Sequence, residues 1–209
     1  MTTRAQSASG GAHLASQSEL KKRIETVLRL GKIAGADETE IQVDETIDAL
    51  TRFANNSIHQ NVAEHGITVS IRTVVDGRTA RATTNRLDED SLRSTVESSL
   101  QLAHSQPKIP GLLHLPGKQR YRKVNRFAKE TAVLTPEDRA RAVKKACDLA
   151  IRNGQVAAGI FSTEQSQLAL GNSRGFFAAY RQPRSERRTP HSETQHEVAE
   201  CREPLSVRV

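Results

Sequence analysis

The chain has 209 residues, with 31 Lys and Arg against 24 Asp and Glu and a formal net charge of +7. This length allows one domain with a real core, but a hydrophobic content of 36% with 3% aromatic residues predicts that part of the chain lies outside it. The basic clusters are short and dispersed, which favours a solvated surface over a nucleic-acid interface. Two cysteines exclude a disulfide framework. Without a secretory or membrane-spanning apolar run, we expect a cytoplasmic protein with no membrane contact.

The first predicted element is a helix. Ser16 and Glu19 have the spacing of a capping box, and apolar residues then recur at helical intervals. We expect a helix from Ser18 to Ala34, weakened by Gly31 near its end and closed by Gly35.

A β-meander follows this helix. Residues 40–47 alternate as a half-buried strand, which runs on to a hairpin turn at Asn55-Asn56. A return strand over 58–62, a turn at 64–66 and a further strand lead to the Asp76-Gly77 hairpin. The pattern predicts about four antiparallel strands joined by short turns.

Helices and a shorter β segment complete the predicted fold. Asp88 caps a second helix, and Thr135 with Pro136 begins another, in which Cys147 is a small buried apolar residue. Two strands, over 156–163 and 165–170, a turn over 171–175 and a strand from Phe176 are then expected. The fold class is α+β, an antiparallel meander packed with helices, followed by a helix and a further short β segment.

Several short motifs, in this order and at these spacings, resemble the amino-terminal domain of the TldD/PmbA metallopeptidase family, whose older name is modulator of DNA gyrase. The resemblance covers the chain from about Glu19 to Tyr180. The motifs are Gly35-Ala-Asp37, Arg52-Phe-Ala-Asn55, Ile58-His-Gln60, Gly66-Ile-Thr-Val69, Asp76-Gly-Arg78, Leu87 with an acidic helix start, and Asn172-Ser-Arg-Gly175.

The resemblance implies a cytoplasmic, zinc-dependent peptidase that acts as a homodimer or with a paralogous TldD/PmbA subunit. It implies an amino-terminal α/β domain that helps to enclose a chamber in which small or unfolded peptides are cut. It places zinc in a separate carboxy-terminal domain, on a His-Glu-x-x-x-His helix with a later cysteine, and in a paired complex only one subunit carries that motif.

This chain contains no His-Glu-x-x-x-His string. The nearest is His196-Glu-Val-Ala-Glu-Cys201, with a cysteine in the second position, in a segment without a periodic apolar face to hold ligands rigidly. We therefore predict no metal and no cofactor in this chain, and no catalytic residue. Whether the chain is an enzyme stays open on the sequence, although we expect it to be inactive alone.

The predicted organisation has three parts. Residues 1–17 are rich in Ser, Ala, Gly and Thr and are expected to be disordered. Residues 18–180 form the amino-terminal domain. Residues 181–209 lose regular period and are expected to be a disordered tail, for which a reading-frame shift or truncation soon after Tyr180 is our hypothesis. A strand interrupted there would expose Phe176, Phe177 and Tyr180.

The candidate site lies on the predicted hairpin. Asn55, Asn56, His59 and Gln60 could line a peptide groove, because an extended substrate can pair with a strand edge and use polar side chains for register. The alternative is a solvent-facing strand, since antiparallel sheets commonly expose one face to water.

Two further clusters favour structural interpretations. Asp44, Glu45 and Asp48 have no matching histidine and are predicted to be exposed strand residues. Lys118–Arg126, with Tyr121, is predicted to be a mobile basic loop rather than a nucleic-acid site. The sequence therefore favours a domain serving peptide hydrolysis, and a non-enzymatic binding module with a basic surface is the alternative.

Overall fold

The computed structural model describes residues 13–121 and 129–188. A five-stranded antiparallel sheet with the strand order β3-β2-β1-β4-β5 is combined with helices, so the predicted α+β class is confirmed. The elements in chain order are α1 (Gln17–Ile33), β1 (Glu38–Ala54), β2 (Ser57–Val75), β3 (Arg78–Thr84), α2 (Glu89–His104), α3 (Lys129–Ala132), α4 (Pro136–Arg152), β4 (Gly159–Asn172) and β5 (Phe177–Arg188).

Both predicted hairpin turns are present. Asn55 and Asn56 join β1 to β2 with φ values of 49° and 58°, and Asp76 and Gly77 join β2 to β3 with φ values of 49° and 71°. Two successive residues in the left-handed region characterise the turn whose twist matches that of a β-hairpin. Asn, Asp and Gly tolerate this conformation, which is why the sequence signal was reliable here.

The sheet has longer strands than the sequence predicted. The expected turn at 64–66 is wrong, because β2 runs without a break from Ser57 to Val75 and the meander has three strands. A Cβ atom at Gly66 would stand 3.1 Å from Oγ1 of Thr46 on β1, so this glycine allows a close approach between strands rather than a turn. Likewise, Gly159–Asn172 is one strand and not two.

The chain is also more regular near its two ends than expected. In the segment predicted to be disordered, residues 13–17 are described, Leu14 is buried, and α1 begins at Gln17. Strand β5 continues past Tyr180 to Arg188, so the predicted loss of regular structure is wrong for residues 181–188. Phe176, Phe177 and Tyr180 are half-buried rather than exposed. Residues 1–12 and 189–209 lie outside the described residues.

The chain divides into two compact units, whose described residues are 13–47, 65–121 and 166–181 for the first and 48–64, 129–165 and 182–188 for the second. The first unit has a core built from α1, α2 and the sheet, and Phe177 packs against it. Its buried members are Leu20, Ile24, Val27, Leu30, Ile41, Val43, Val69, Ile71, Leu92, Val96 and Ala169.

The second unit has a smaller core beneath α4. Phe53, Val143, Cys147 and Phe161 form it, and Cys147 is 4% exposed, as the helical pattern predicted. Burial raises the pKa of the Cys147 thiol, which keeps it in the apolar, protonated form. None of the described helices is both long and apolar enough to cross a membrane.

Candidate functional site

The two asparagines of the predicted groove form the β1–β2 turn, and one of them has a clear structural role. The Nδ2 atom of Asn56 donates to the carbonyl oxygen of Gln155 at 3.0 Å, and its Oδ1 atom accepts from the N–H of Ala157 at 2.7 Å. Its own N–H donates to the carbonyl oxygen of Ala157 at 3.1 Å. These three bonds attach the hairpin to the chain leading into β4. Asn55 supplies the first left-handed residue.

The next two candidates differ from each other. Nε2 of His59 lies 2.9 Å from the carbonyl oxygen of Ala54. This exposed ring therefore stabilises the β1–β2 hairpin to which it belongs. Gln60 is exposed and lines an open groove on the sheet. The structure thus places Gln60 in a groove and gives Asn56 and His59 contacts that stabilise the turn.

The groove lies on the second unit and has a volume of about 330 Å³. Three strands line it: β1 over residues 48–52, β2 over residues 60–64, and β4 over residues 162–164. Side chains along β1 alternate between the two faces of the sheet. Thr51 and Phe53 are buried on one face, so residues 48, 50 and 52 face the groove on the other. The groove is therefore the solvent-facing side of a half-buried sheet.

The groove carries more negative than positive charge, in contrast to the chain as a whole. Asp48, Glu64 and Glu164 line it together with a single guanidinium, that of Arg52. Within the described ranges, none of these four side chains forms a salt bridge. Arg52, Glu64 and Glu164 were not predicted from the sequence as groove residues, although the alternation of β1 indicates the outward face of Arg52.

Glu45, predicted to be exposed, is instead a buried carboxylate, and that prediction is wrong. Its side chain is 3% exposed and accepts from the N–H of Ala15 at 3.0 Å and from Nε2 of Gln167. Nε2 of His65 lies 2.8 Å from its other oxygen. Asp44 is half-buried and accepts from Gln42 at 2.9 Å, and Asp48 is exposed. The predicted set of three acids therefore divides among three environments.

A second buried carboxylate holds a loop of the first unit. Glu38 accepts from the N–H of Leu115 at 2.7 Å and from Nη1 of Arg174 at 3.1 Å, and Nδ1 of His114 lies 2.6 Å from it. Burial raises the pKa of Glu38, but these hydrogen bonds outweigh burial and hold the pKa below its usual value. All three partners of Glu38 belong to the fold itself. The cluster therefore holds the loop before Pro116 in place, and the carboxylate is not available to react with a substrate.

Several basic side chains on the described surface form salt bridges with acids. Arg29 contacts Glu89 at 2.9 Å, and Lys108 contacts Asp76 at 2.6 Å. Arg81 contacts Glu40 at 2.8 Å. Tyr121 is exposed, while most of the predicted basic loop beyond it lies outside the described residues.

The described residues contain no group of three or more His, Cys, Asp or Glu side chains that could hold a metal ion. The His196–Cys201 string lies outside the described residues. In the described ranges, the arrangement consists of an open polar sheet face and the buried carboxylates of Glu38, Glu40 and Glu45, each held by contacts within the fold. Such a face can bind an extended chain through hydrogen bonds and charge.

These features define an α+β fold that carries an open polar groove on the strands of its second unit. Residues 39–103 match the family model of PmbA/TldA metallopeptidase domain 1. The resemblance found in the sequence is thereby confirmed over these residues, which are similar to the first domain of TldD/PmbA-type proteins.

Solved structures show the same fold. TldE from Thermococcus kodakarensis superposes with a TM-score of 0.72 at 18% identity, over 83% of this chain and 40% of that one. A Thermotoga maritima protein named as a putative modulator of a DNA gyrase superposes with a TM-score of 0.65 at 18% identity, over 79% of this chain and 38% of that one. A similarly named protein of Bacteroides thetaiotaomicron superposes with a TM-score of 0.68 at 16% identity, over 79% of this chain and 39% of that one. The chain thus spans about two fifths of the length of these structures, and no curated protein matches it.

Proposed function

We propose that this chain is the peptide-facing amino-terminal domain of a TldD/PmbA-type zinc metallopeptidase. It binds extended segments of small or unfolded peptides during proteolysis, and it does not itself hydrolyse them. Zinc ligation and bond cleavage belong to a different domain of such enzymes. The observation that carries the proposal is the open polar groove formed by β1, β2 and β4.

The chemistry of the groove suits a peptide. Its volume of about 330 Å³ is at the small end of ligand pockets, which matches a few residues of an extended chain rather than a folded partner. Gln60 offers hydrogen-bonding groups, and the half-buried Leu50 and Val62 offer apolar surface beside it. When an extended peptide binds beside a strand, main-chain hydrogen bonds supply affinity and side-chain pockets supply specificity, so this lining suits a peptide with few sequence requirements.

Assembly is part of the proposal. The domain works in the cytoplasm, in a homodimer or beside a paralogous TldD/PmbA subunit, so that the groove faces a shared chamber. Sedimentation velocity of the chain, alone and mixed with a paralogous subunit, tests this part. A chain that stays monomeric in both cases contradicts it.

The function is tested by combining three measurements on the full chain. Zinc content and hydrolysis of unfolded peptides are expected to be at background, while isothermal titration detects binding of an extended peptide. Leu50→Trp, which fills the groove, is expected to weaken this binding, and Leu102→Trp on the exposed side of α2 is the matched control. Stoichiometric zinc with peptidase activity, or peptide affinity unchanged by Leu50→Trp, contradicts the proposal.

A salt titration separates peptide binding from the alternative of a nucleic-acid module. Affinity for duplex DNA that falls steeply with salt concentration would indicate neutralisation of several phosphates by Lys and Arg. We expect no such binding at physiological ionic strength, because basic side chains such as Arg29 and Lys108 already contact carboxylates. Tight, salt-dependent DNA binding would favour the alternative.

A further inference from the structure

Part of β2 is a sheet edge without a strand partner in the described part of the chain. Strand β3 pairs with β2 only from Val69 to Val75, and β3 is the neighbour of β2 on that side. Residues 57–64 of β2, all in the second unit, therefore present an outer edge, and every one of them except Val62 is exposed. An exposed strand edge of this length is a template for pairing with another extended chain.

The backbone groups that face outward can be assigned from the hairpin. The two-residue turn at Asp76-Gly77 makes Val75 and Arg78 a hydrogen-bonded pair, so odd-numbered residues of β2 direct their N–H and C=O groups toward the β3 side. On the other side of β2, the N–H of Asp37 donates to the carbonyl oxygen of Val74, so even-numbered residues face β1.

Thr46 lies beside Gly66 and Thr51 contacts Asn61, so the register between β1 and β2 is unchanged as far as Asn61 and the same parity holds over residues 61–75. The turn at Asn55-Asn56 gives Ser57 the opposite parity, so this assignment does not extend to residues 57–60. Asn61 and Ala63 then offer donors and acceptors to an added strand.

The side chains beside this edge select for charge. Gln60, Val62 and Glu64 project from the edge strand into the groove, where Asp48 and Glu164 add two further carboxylates. A strand added about 4.8 Å beyond β2 would place every second side chain on this face, within reach of Glu64. Asp48 lies on β1 and Glu164 on β4, two and three strand spacings of about 4.8 Å from the added strand. These distances exceed the Debye length of about 8 Å at physiological salt, so Glu64 is the dominant charge and the other two acids add a smaller contribution.

We propose that the β2 edge over residues 57–64 accepts an extended peptide as an additional strand, and that the groove selects peptides carrying Lys or Arg. This inference deepens the proposed function and rests on it. Backbone pairing at Asn61 and Ala63 supplies sequence-independent affinity, and Glu64 supplies the preference. The charge complementarity is local, because the chain carries a formal net charge of +7 and would otherwise repel a cationic peptide.

The preference is tested by fluorescence anisotropy with three labelled peptides that differ only in a central Lys, Gln or Glu. The Lys peptide is expected to bind about fivefold more tightly than the Gln peptide, the range of one partly exposed ion pair, and the Glu peptide more weakly. Glu64→Gln should remove most of this difference, and adding Asp48→Asn and Glu164→Gln should remove the rest. Glu97→Gln, an exposed acid on α2, is the matched control and should leave the difference intact.

Strand addition is tested separately through the backbone. Peptides N-methylated at alternate amides lose donors on one edge only, so one of the two methylation registers should abolish binding and the other should not. Ala63→Pro removes an outward N–H at an edge position, where proline is tolerated, and should weaken the Lys and Gln peptides equally. Circular dichroism of this variant checks that the sheet is retained.

The outcomes distinguish this inference from the function on which it rests. Equal affinity for all three peptides, still reduced by Leu50→Trp, overturns the inference and leaves the proposed function standing. Absence of binding by any peptide overturns both. Concentration-dependent dimers that Ala63→Pro abolishes would assign the edge to a second copy of this chain and overturn the inference. Loss of the Lys preference in Glu64→Gln together with register-specific loss on methylation supports it.

Discussion

The backbone of Gly31 in α1 packs directly against the side chain of Thr39 in β1. A Cβ atom at Gly31 would overlap Oγ1 of Thr39 and lie 3.0 Å from its Cβ atom. Thr39 is 2% exposed and has no room to move away. The glycine that the helical pattern marks as a weakness is thus the residue that lets the helix approach the sheet.

Gly31→Ala is therefore expected to destabilise the protein, although alanine is the better helix former. The gain in helix propensity is about 1 kcal/mol, whereas overpacking at such a contact costs about 1–3 kcal/mol and β1 would have to shift. Urea denaturation measures the difference. Gly117→Ala, where an added Cβ meets nothing within 4 Å, is the control. A Gly31→Ala protein more stable than the parent would contradict the close contact.

Glu45→Ala is expected to be one of the most destabilising single changes in the first unit. It leaves the N–H of Ala15 and one of the two N–H groups of the Gln167 amide without their acceptor in a buried site, which costs about 3 kcal/mol or more. Glu45→Gln keeps one acceptor and should cost less. Urea denaturation compares the free energies of unfolding of these variants. Asp48→Ala in the exposed groove is expected to change the free energy of unfolding by less than about 0.5 kcal/mol. Equal losses of stability in Glu45→Ala and Asp48→Ala would contradict the buried position of the Glu45 carboxylate.

Stability is expected to fall at acid pH partly through Glu38. Its pKa is lower in the folded protein than its ordinary value of 4.5, because the hydrogen bonds to its charged form outweigh burial. The unfolded chain therefore takes up this proton first as the pH falls. The contribution of Glu38 is complete above the unfolded pKa and is lost as the pH drops through the lower, folded value.

This pH dependence can be measured by thermal unfolding between about pH 3 and pH 6, the range around the unfolded pKa. Glu38→Gln should flatten the profile below about pH 5, while Glu97→Gln removes a charge on the exposed face of α2 and serves as the control. Identical slopes for the parent and Glu38→Gln would show that this carboxylate is not held in its charged form.

Arg139 provides a test of a buried charge that has no ionic partner among residues 13–121 and 129–188. It is 2% exposed, donates to Asn61 at 3.2 Å and to Thr163 and the carbonyl oxygen of Leu134 at 3.4 Å, and its Nε atom has no partner among the described residues. Burial lowers the pKa of this guanidinium, which reflects the cost of keeping the cation there.

Because these bonds are long and desolvation is costly, Arg139→Met should change the free energy of unfolding by less than about 1.5 kcal/mol in either direction. Phe161→Ala, in the core of the same unit, should cost about 3–5 kcal/mol. Urea denaturation compares the two. A loss at Arg139→Met as large as that at Phe161→Ala would mean that the guanidinium stabilises the fold more than its contacts indicate.

Local features of the sequence predicted the elements that depend on a few neighbouring residues. The capping box at Ser16 with Glu19 and the N-cap at Thr135 begin their helices as expected. The structure adds that Asp138 completes a second capping box with Thr135. The Asn55-Asn56 turn has the backbone that its residue types favour. These outcomes follow from dihedral preferences and hydrogen bonds within three or four residues, which a sequence shows directly.

Features that depend on distant partners could not be predicted in this way. Gly66 was predicted to be a turn residue because a glycine beside polar residues usually marks one, but the neighbouring strand keeps β2 extended. The candidate groove shows the same limit: Gln60 was found from the hairpin, whereas Glu164 joins it from a strand about a hundred positions away.

The sequence alone determined where helices begin, where the hairpins turn and which family the order of motifs resembles, since each of these is encoded in short segments. The tertiary structure decided which acids are buried and which are free. Glu45 lies 122 positions from Gln167, and Glu38 lies 77 positions from Leu115, yet these contacts give both carboxylates structural roles. Burial and pairing are properties of the folded neighbourhood, so three similar carboxylates on one strand acquire different environments only when the sheet assembles.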